Sequence, residues 1–426
     1  VSIRKKSGPI KTFCNLFLLT GFFGIASAQV PDVDSMIHKY PFIRKELSVL
    51  HNDSLSLASF YAKLLDLENG KRSRVNVVHI GDSHIQADAM SGTVRQLLQK
   101  DFGNAGRGFV FPYRVAHSNE PPSYKSFSNV KWESKRNVFP DQPLPIGLGG
   151  FTIETRDSGA TLSLLVKDQG KLNYGFTRFT LFHEKGTGNF NYAVCDDFNC
   201  RVGKIDSRNI STSKYASVQE FETPMHQLMI SCTGDGDSAG CSRIYGMLLE
   251  NGKPGLLYDM IGVNGAEFRH YNQSVHFQEQ LSYLQPDLVI VSMGTNEAFG
   301  AHFNAEEFSR NIDTLVSGIR SRNPGAEILL TTPGDSFRKS RKGRIKNPDM
   351  KLARDAVITY AESHGCAWWD LYEIMGGYGS MAKWFAAHIS AKDRVHFSGT
   401  GYVMQGGMLY EAISKSFEKY KSDKGQ

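Results

Sequence analysis

Two rhythms of apolar and polar positions alternate along the chain. Val75-Asn76-Val77-Val78-His79-Ile80 is an apolar run too short for a helix, and it halts at Gly81-Asp82-Ser83-His84. Helical spacing follows from about Ala89 to Lys100, until Gly103, Gly106 and Gly108 break it. From about 118 to 246 helical periodicity disappears. Short alternating runs replace it, at Phe151–Thr155, Thr161–Val166, Arg178–Phe182, Phe190–Val194, Ser217–Phe221 and Gln227–Ser231. A period of two between Gly, Asn and Asp turns predicts an antiparallel β-sandwich.

After 246 the first rhythm returns. Strands are expected at Leu256–Ile261, Asp287–Met293, Glu327–Thr332 and Cys366–Asp370. Helices are expected to about Leu284, over Ala305–Arg322, over Met350–Ser363 and from about Gly401 to Tyr420. Continuous apolar strands alternating with helices imply a parallel sheet covered on both faces. The chain therefore reads as a three-layer α/β/α domain with a parallel sheet, interrupted after its first strand–helix unit by an antiparallel β-sandwich. The expected divisions are a signal peptide at 1–28, a polar helical lead-in at 29–70, the first α/β part at 71–118, the inserted sandwich at 119–246 and the second α/β part at 247–426.

The 426 residues suit two or three structural units and allow a sizeable core. The formal charge of +6 is mild and spread out, and the chain shows no motif of a nucleic-acid reader. The amino-terminal segment joins basic Arg4, Lys5, Lys6 and Lys11 to an apolar stretch, Phe13 to Ile25, and to Ala26-Ser27-Ala28. This is a secretory-signal pattern with cleavage after Ala28, and the apolar stretch is shorter than the ~20 residues that span a bilayer. An exported protein, periplasmic or secreted, with no membrane span in its mature chain is expected. Export permits disulfides. Cys195 lies close to Cys200 and Cys232 to Cys241, and Cys366 is left over in an apolar segment.

Ligands of an open parallel sheet bind beyond the carboxyl ends of its strands. Those ends carry Gly81-Asp82-Ser83, Gly262-Val263-Asn264-Gly265 and Gly294-Thr295-Asn296-Glu297, with Asp393-Arg394-Val395-His396 before the last helix. Taken singly, each has an ordinary structural explanation as a turn, a cap or a surface pair. Together they supply a hydrolytic centre. A serine hydroxyl needs a base, which His396 can provide, and a histidine base needs an orienting carboxylate, which Asp393 can provide. The N–H groups of Ser83 and Gly265 and the amide of Asn296 would bind an oxyanion.

These four segments resemble the blocks of the SGNH, or GDSL-like, hydrolases, a flavodoxin-like family. "GDSHIQAD", "GVNGAE", "GTNEAFG", "GGYGSMAKW" and "DRVHFSGTGY" are similar to those of exported bacterial O-acetylpeptidoglycan esterases, which also carry an inserted sandwich like a carbohydrate-binding module. The resemblance covers roughly 70–118 and 247–410, is weak within the insert and is absent before 70. It implies a Ser83–His396–Asp393 triad, an oxyanion site at Ser83, Gly265 and Asn296, no metal or organic cofactor, and an O-acetylated glycan such as peptidoglycan as substrate. Esterase action on xylan or a capsule, acyl transfer to another sugar, and glycan binding without catalysis are the alternatives.

Other segments compete for attention. Gly236-Asp237-Ser238-Ala239-Gly240 fits the nucleophile elbow G-x-S-x-G, but strand-like sequence follows it where that motif needs a helix. A hairpin loop clipped by Cys232 and Cys241 is expected there instead. Gly334-Asp335-Ser336 is expected to be a rim loop leading into the basic run Arg338 to Arg344. His84, Trp384, Arg341 and Arg344 are candidate substrate contacts, while Phe385 and Tyr378 could stack on sugars or fill the core.

Overall fold

The computed structural model describes residues 32–139, 144–196, 202–211, 213–234, 240–300, 302–341 and 343–425. The expected signal peptide with its cleavage point, Cys200 and residues 236–239 of the G-x-S-x-G segment lie outside the described residues.

Five strands make the central sheet: β1 Arg74–Gly81, β2 Gly255–Gly262, β3 Leu288–Ser292, β4 Glu327–Thr331 and β5 Ala367–Trp369. All neighbours are parallel, in the order β2-β1-β3-β4-β5. That is the flavodoxin-like strand order, with its reversal at β1 and β3. Val75, Val77, Val78 and Ile80 of β1 are all fully buried, as a strand covered on both faces requires.

Helices α1 Met90–Phe102, α2 Ala305–Arg322, α3 Asp349–Ser363 and α4 Gly399–Asp423 cover the sheet in two layers. In α2, Phe308, Ile312, Leu315, Val316 and Ile319 form one buried stripe. Asn304 caps it by accepting from the N–H groups of Glu306 and Glu307 at 3.1 Å, and acidic and basic residues occupy its first and last turns. Helix α4 lies against α1 at Gly406, where a Cβ would fall 2.5 Å from Met90 O. The region expected as one helix before Leu284 is two short ones, Phe268–Asn272 and Phe277–Tyr283. Upstream of β1, the helix Ala58–Glu68 buries Phe60, Tyr61 and Leu64, and Tyr61 packs on Phe417 of α4.

Two antiparallel sheets separate α1 from β2. One runs Ala216–Met225, Phe176–His183, Ser242–Glu250, Phe151–Thr155, Glu133–Arg136, with Gly108–Val110 also paired to Ser242–Glu250. The other runs Tyr124–Ser128, Thr161–Val166, Gln227–Thr233, Asn191–Cys195, Gly203–Ile205. The expected Cys232–Cys241 clip is absent, and both are free thiols. Cys232 lies in the strand Gln227–Thr233 of one sheet and Cys241 leads into Ser242–Glu250 of the other, so their connection crosses between sheets and is not a hairpin.

The sandwich is bolted to the α/β domain by a buried ion cluster. Asp88, at φ 52°, accepts from Arg95 at 2.8 and 2.9 Å and from Arg107 at 2.7 Å. Arg95 also reaches Gln169 and Tyr174 of the insert, and Arg107 reaches Ser123. The arginine side chains are fully buried and Asp88 is 1% exposed.

Candidate active site

The register of the sheet brings three loops together. Gly81 at the end of β1 is level with Gly262 of β2 on one side and Ser292 of β3 on the other. Ser83, Gly265 and Asn296 follow those positions by two, three and four residues. A Cβ on Gly81 would sit 2.2 Å from Ile85 Cγ1, so the turn closes only around a glycine. Asp82 then caps the short helix Ser83–Gln86 by accepting from the His84 N–H at 2.9 Å.

His396 comes to Ser83 from a loop shaped by its own aspartate. Asp393 Oδ1 accepts from the backbone N–H groups of Val395 at 2.9 Å and His396 at 3.0 Å, while Arg394 takes φ 57°. One carboxylate oxygen thus folds the loop and the other is left for the ring. Oδ2 lies 2.7 Å from His396 Nδ1, and His396 Nε2 lies 2.9 Å from Ser83 Oγ. Burial alone would raise the Asp393 carboxyl, but the His396 side chain and the two N–H donors outweigh it and hold the group below the usual carboxylate range. The His396 and Asp393 side chains remain 38% and 40% exposed, so a solute can reach the hydroxyl. A hydroxyl, an imidazole and a carboxylate in line can pass a proton from oxygen to nitrogen.

Gly265 takes φ 83°, and a side chain there would point into open space. Its N–H has no acceptor among the described residues, whereas the flanking N–H groups of Asn264 and Ala266 bond to Gln86 Oε1 and Val263 O. Asn296 Nδ2 is occupied on both hydrogens, to Ala266 O at 2.8 Å and to Asp82 Oδ2 at 3.2 Å. Burial pushes the Asp82 carboxyl up to about 7, against the His84 N–H that lowers it. Burial likewise pushes Glu297, which accepts from the Phe268 N–H at 2.7 Å, up to about 8.

The candidate contacts divide. His84 lines the site, with its ring 5.1 Å from that of His396 and its Nδ1 2.9 Å from the Tyr402 hydroxyl. Burial, helped by the positive charge His396 can carry, lowers His84 to about 3 and keeps it neutral. Trp384 is not a contact surface. It is fully buried, donates to Met375 O and packs edge-on against Phe397, so it supports the loop from beneath. Phe385 carries the Arg394 guanidinium at 4.4 Å, and Tyr378 is 55% exposed. The basic run is not a loop but a hairpin, Phe337–Ser340 with Gly343–Lys346, because Phe337 is buried and anchors it. Arg344 donates to the Asp393 carbonyl and Arg341 is exposed at the turn. Gly334-Asp335-Ser336 lies, as expected, in the loop after β4 that leads into the basic run, with Asp335 and Ser336 buried and Asp335 accepting from the Met381 N–H.

Sequence reasoning missed Gln86. It is fully buried, donates to Ser118 Oγ and Asn119 O and accepts from Asn264 N–H, so it ties the serine's helix to two other segments. Its signal was a long amide on the inward face of the turn after Ser83. His79, fully buried between Tyr258 and Ser292, is structural.

Residues 231–404 match the profile of the GDSL-like Lipase/Acylhydrolase family. That segment holds Gly265, Asn296, Asp393 and His396, while Ser83 lies before it, beyond the insert. No curated protein matches the sequence. The fold is similar to a solved peptidoglycan O-acetylesterase, at 22% identity and a TM-score of 0.72, over 87% of this chain and 99% of that one. An acetyl xylan esterase matches at 17% identity and a TM-score of 0.30, over 37% of this chain and 80% of that one. A GDSL-like lipase from Bacteroides thetaiotaomicron matches at 20% and 0.30, over 38% and 76%. The fold and the matched segment support a hydrolase of the SGNH/GDSL type. The likeness to the peptidoglycan O-acetylesterase spans the insert as well as the α/β domain.

Proposed function

We propose that this protein is a serine esterase that removes O-acetyl groups from a cell-wall glycan, peptidoglycan foremost. The observation that carries the reading is the relay of Ser83 Oγ, His396 and Asp393 at 2.9 and 2.7 Å, between residues 313 positions apart in the chain. Ser83 Oγ attacks the ester carbonyl as its proton passes to His396 Nε2, and Asp393 holds the imidazolium. The oxyanion is received by the N–H groups of Ser83 and Gly265, with Asn296 turning one amide hydrogen from Asp82 towards it. Collapse breaks the bond to the sugar oxygen, which takes the proton back from His396. Water then gives its proton to His396 and attacks the acetyl-serine, and acetate leaves with Ser83 restored. The choice of acetyl and of peptidoglycan draws on the blocks around these residues and on the fold likeness. Export after cleavage at Ala28 would put the enzyme where such a polymer lies.

The test is acetate release from O-acetylated peptidoglycan, beside acetylated xylan, by wild type and Ser83→Ala. Wild type is expected to release acetate from peptidoglycan and to label with a fluorophosphonate, and Ser83→Ala to do neither. Release from xylan alone would redirect the reading to another polysaccharide. Acyl transfer only when an acceptor sugar is added would make it a transferase. Tight glycan binding without labelling would make it a binding protein.

A further inference from the structure

Between Arg338 and Lys346 the chain has six basic residues in nine and no acidic one. A solvated surface ordinarily intersperses the two signs. In the hairpin, Arg338 is paired with Asp349 at 2.7 Å, but Lys339, Arg341, Arg344 and Lys346 are exposed and have no carboxylate within ion-pair distance among the described residues. The nearby acids are engaged elsewhere: Asp393 with His396, Glu373 with Arg44, and Asp335 buried against the Met381 N–H.

The hairpin is held rigidly to the catalytic loop. The Phe337 N–H donates to Arg394 O at 2.9 Å, Arg394 lies over the Phe337 ring at 5.1 Å, and Arg344 donates to Asp393 O. At the hairpin's other end Asn347, fully buried, donates through Nδ2 to Ala298 O. Lys346 Nζ stands 5.4 Å from the ring of exposed Tyr378. Lys346 beside an exposed aromatic face and Arg344 beside the relay, on one hairpin with the exposed Lys339 and Arg341 and with no carboxylate at ion-pair distance among the described residues, suit a sugar ring that carries a carboxylate. The aromatic takes the apolar face of the pyranose, and the cations take the charge.

We propose that Tyr378 and the hairpin cations Lys339, Arg341, Arg344 and Lys346 form a subsite selecting acylated glycans that bear carboxylates over neutral ones. This rests on the esterase reading above and names the device by which such an enzyme would discriminate. The carboxylate could belong to a lactyl ether with its peptide or to a uronic acid, and the chemistry at the hairpin is the same.

Acetate release is measured on O-acetylated peptidoglycan, acetylated polygalacturonate and acetylated xylan, for wild type, Lys339→Glu/Arg341→Glu and Tyr378→Ala. Arg344 is left in place because it bonds the loop of the triad. The double charge reversal is expected to lower the ratio of kcat/KM on a carboxylate-bearing polymer to that on xylan by about tenfold or more, mainly through KM. Raising salt from about 50 to about 500 mM should erode the same ratio in wild type. Tyr378→Ala should raise KM on the carboxylate-bearing polymers without changing their salt dependence. Preference for either carboxylate-bearing polymer supports the subsite and identifies its source. An unchanged ratio after charge reversal, or a wild-type preference for xylan, overturns it. Binding of non-acetylated peptidoglycan and of its carboxyl-methylated form to Ser83→Ala protein separates the two readings. Charge-dependent binding that the double reversal abolishes supports the subsite even if no polymer is deacetylated, and equal binding of both forms overturns it even if the esterase reading holds.

Discussion

Asp82 Oδ2 stands 3.2 Å from Asn296 Nδ2, although the two residues are 214 positions apart. The bond joins the turn that carries Ser83 to the turn that closes β3. Asp82→Ala should therefore leave Asn296 loosely aimed and lower kcat on nitrophenyl acetate by about 10–100-fold. Asn296→Ala should cost about 10²–10³-fold, as loss of an oxyanion donor does. If the aspartate acts through the asparagine, the double variant will be close to Asn296→Ala alone. Multiplying penalties in steady-state kinetics would show that the two act separately.

Asp393 divides its work between two oxygens, and Asp393→Asn tests that division. The side-chain oxygen of asparagine can still accept from the Val395 and His396 N–H groups, so the loop should keep its shape. The NH₂ that replaces Oδ2 would face His396 Nδ1 as a donor and favour the wrong tautomer. A loss of about 10³–10⁴ in kcat with an unchanged melting temperature is expected. A comparable loss of stability would mean that the aspartate's main service is to the fold.

Glu297 gives a prediction in pH. Its carboxyl is raised from 4.5 to about 8 by burial, and one of its oxygens has no partner among the described residues. A folded-state value above the unfolded one means that the folded protein binds the extra proton in between. The destabilising contribution therefore grows as pH rises from about 4.5 to about 8 and is absent below that window. Glu297→Gln does not ionise, so its melting temperature should gain on wild type between about pH 5 and about pH 9. The gain should be on the order of 1–3 kcal/mol in stability. A difference independent of pH in thermal unfolding would contradict this.

Asp88→Asn should be the most destabilising of these changes. It would leave Arg95 and Arg107 buried with no counter-charge, which typically costs about 3–5 kcal/mol. Because both arginines also reach across to the insert, denaturant unfolding should show the sandwich and the α/β domain loosening together. Two separated transitions already present in wild type would argue that the cluster does not couple them.

The parts legible in the sequence were those governed by local periodicity. β1 and α2 are examples: the one is a short run rich in β-branched residues, Val75, Val77, Val78 and Ile80, ended by a glycine turn, and the other has a capped, single-faced stripe with the expected ends. The convergence of Ser83, Gly265, Asn296 and the Asp393–His396 pair could be anticipated because the first three sit where strands stop and the pair sits just before the last helix. Features decided by tertiary packing were not legible. Trp384 has no local mark distinguishing a sugar platform from a core ring, and only its burial beneath Phe397 decides it. The strands Gly108–Val110 and Gly203–Ile205 are too short for an alternation to show. Cys232 and Cys241 look like a hairpin clip until the sheets that hold them are known to be different ones. The basic run Arg338–Lys346 hides its strand pairing because charge masks the alternation, and the hairpin's buried anchor is Phe337, just before the run.

The strand order also has a consequence in time. β1 hydrogen-bonds only to strands that begin at Gly255 and Leu288. A ribosome adding about 5–20 residues per second needs roughly ten to thirty seconds to travel from the end of β1 to its first partner. During that interval the whole sandwich emerges, while Val75 to Ile80 remains an unpaired, greasy segment. Emerging amino terminus first, the chain thus presents the whole insert before the serine's own strand can find its partners.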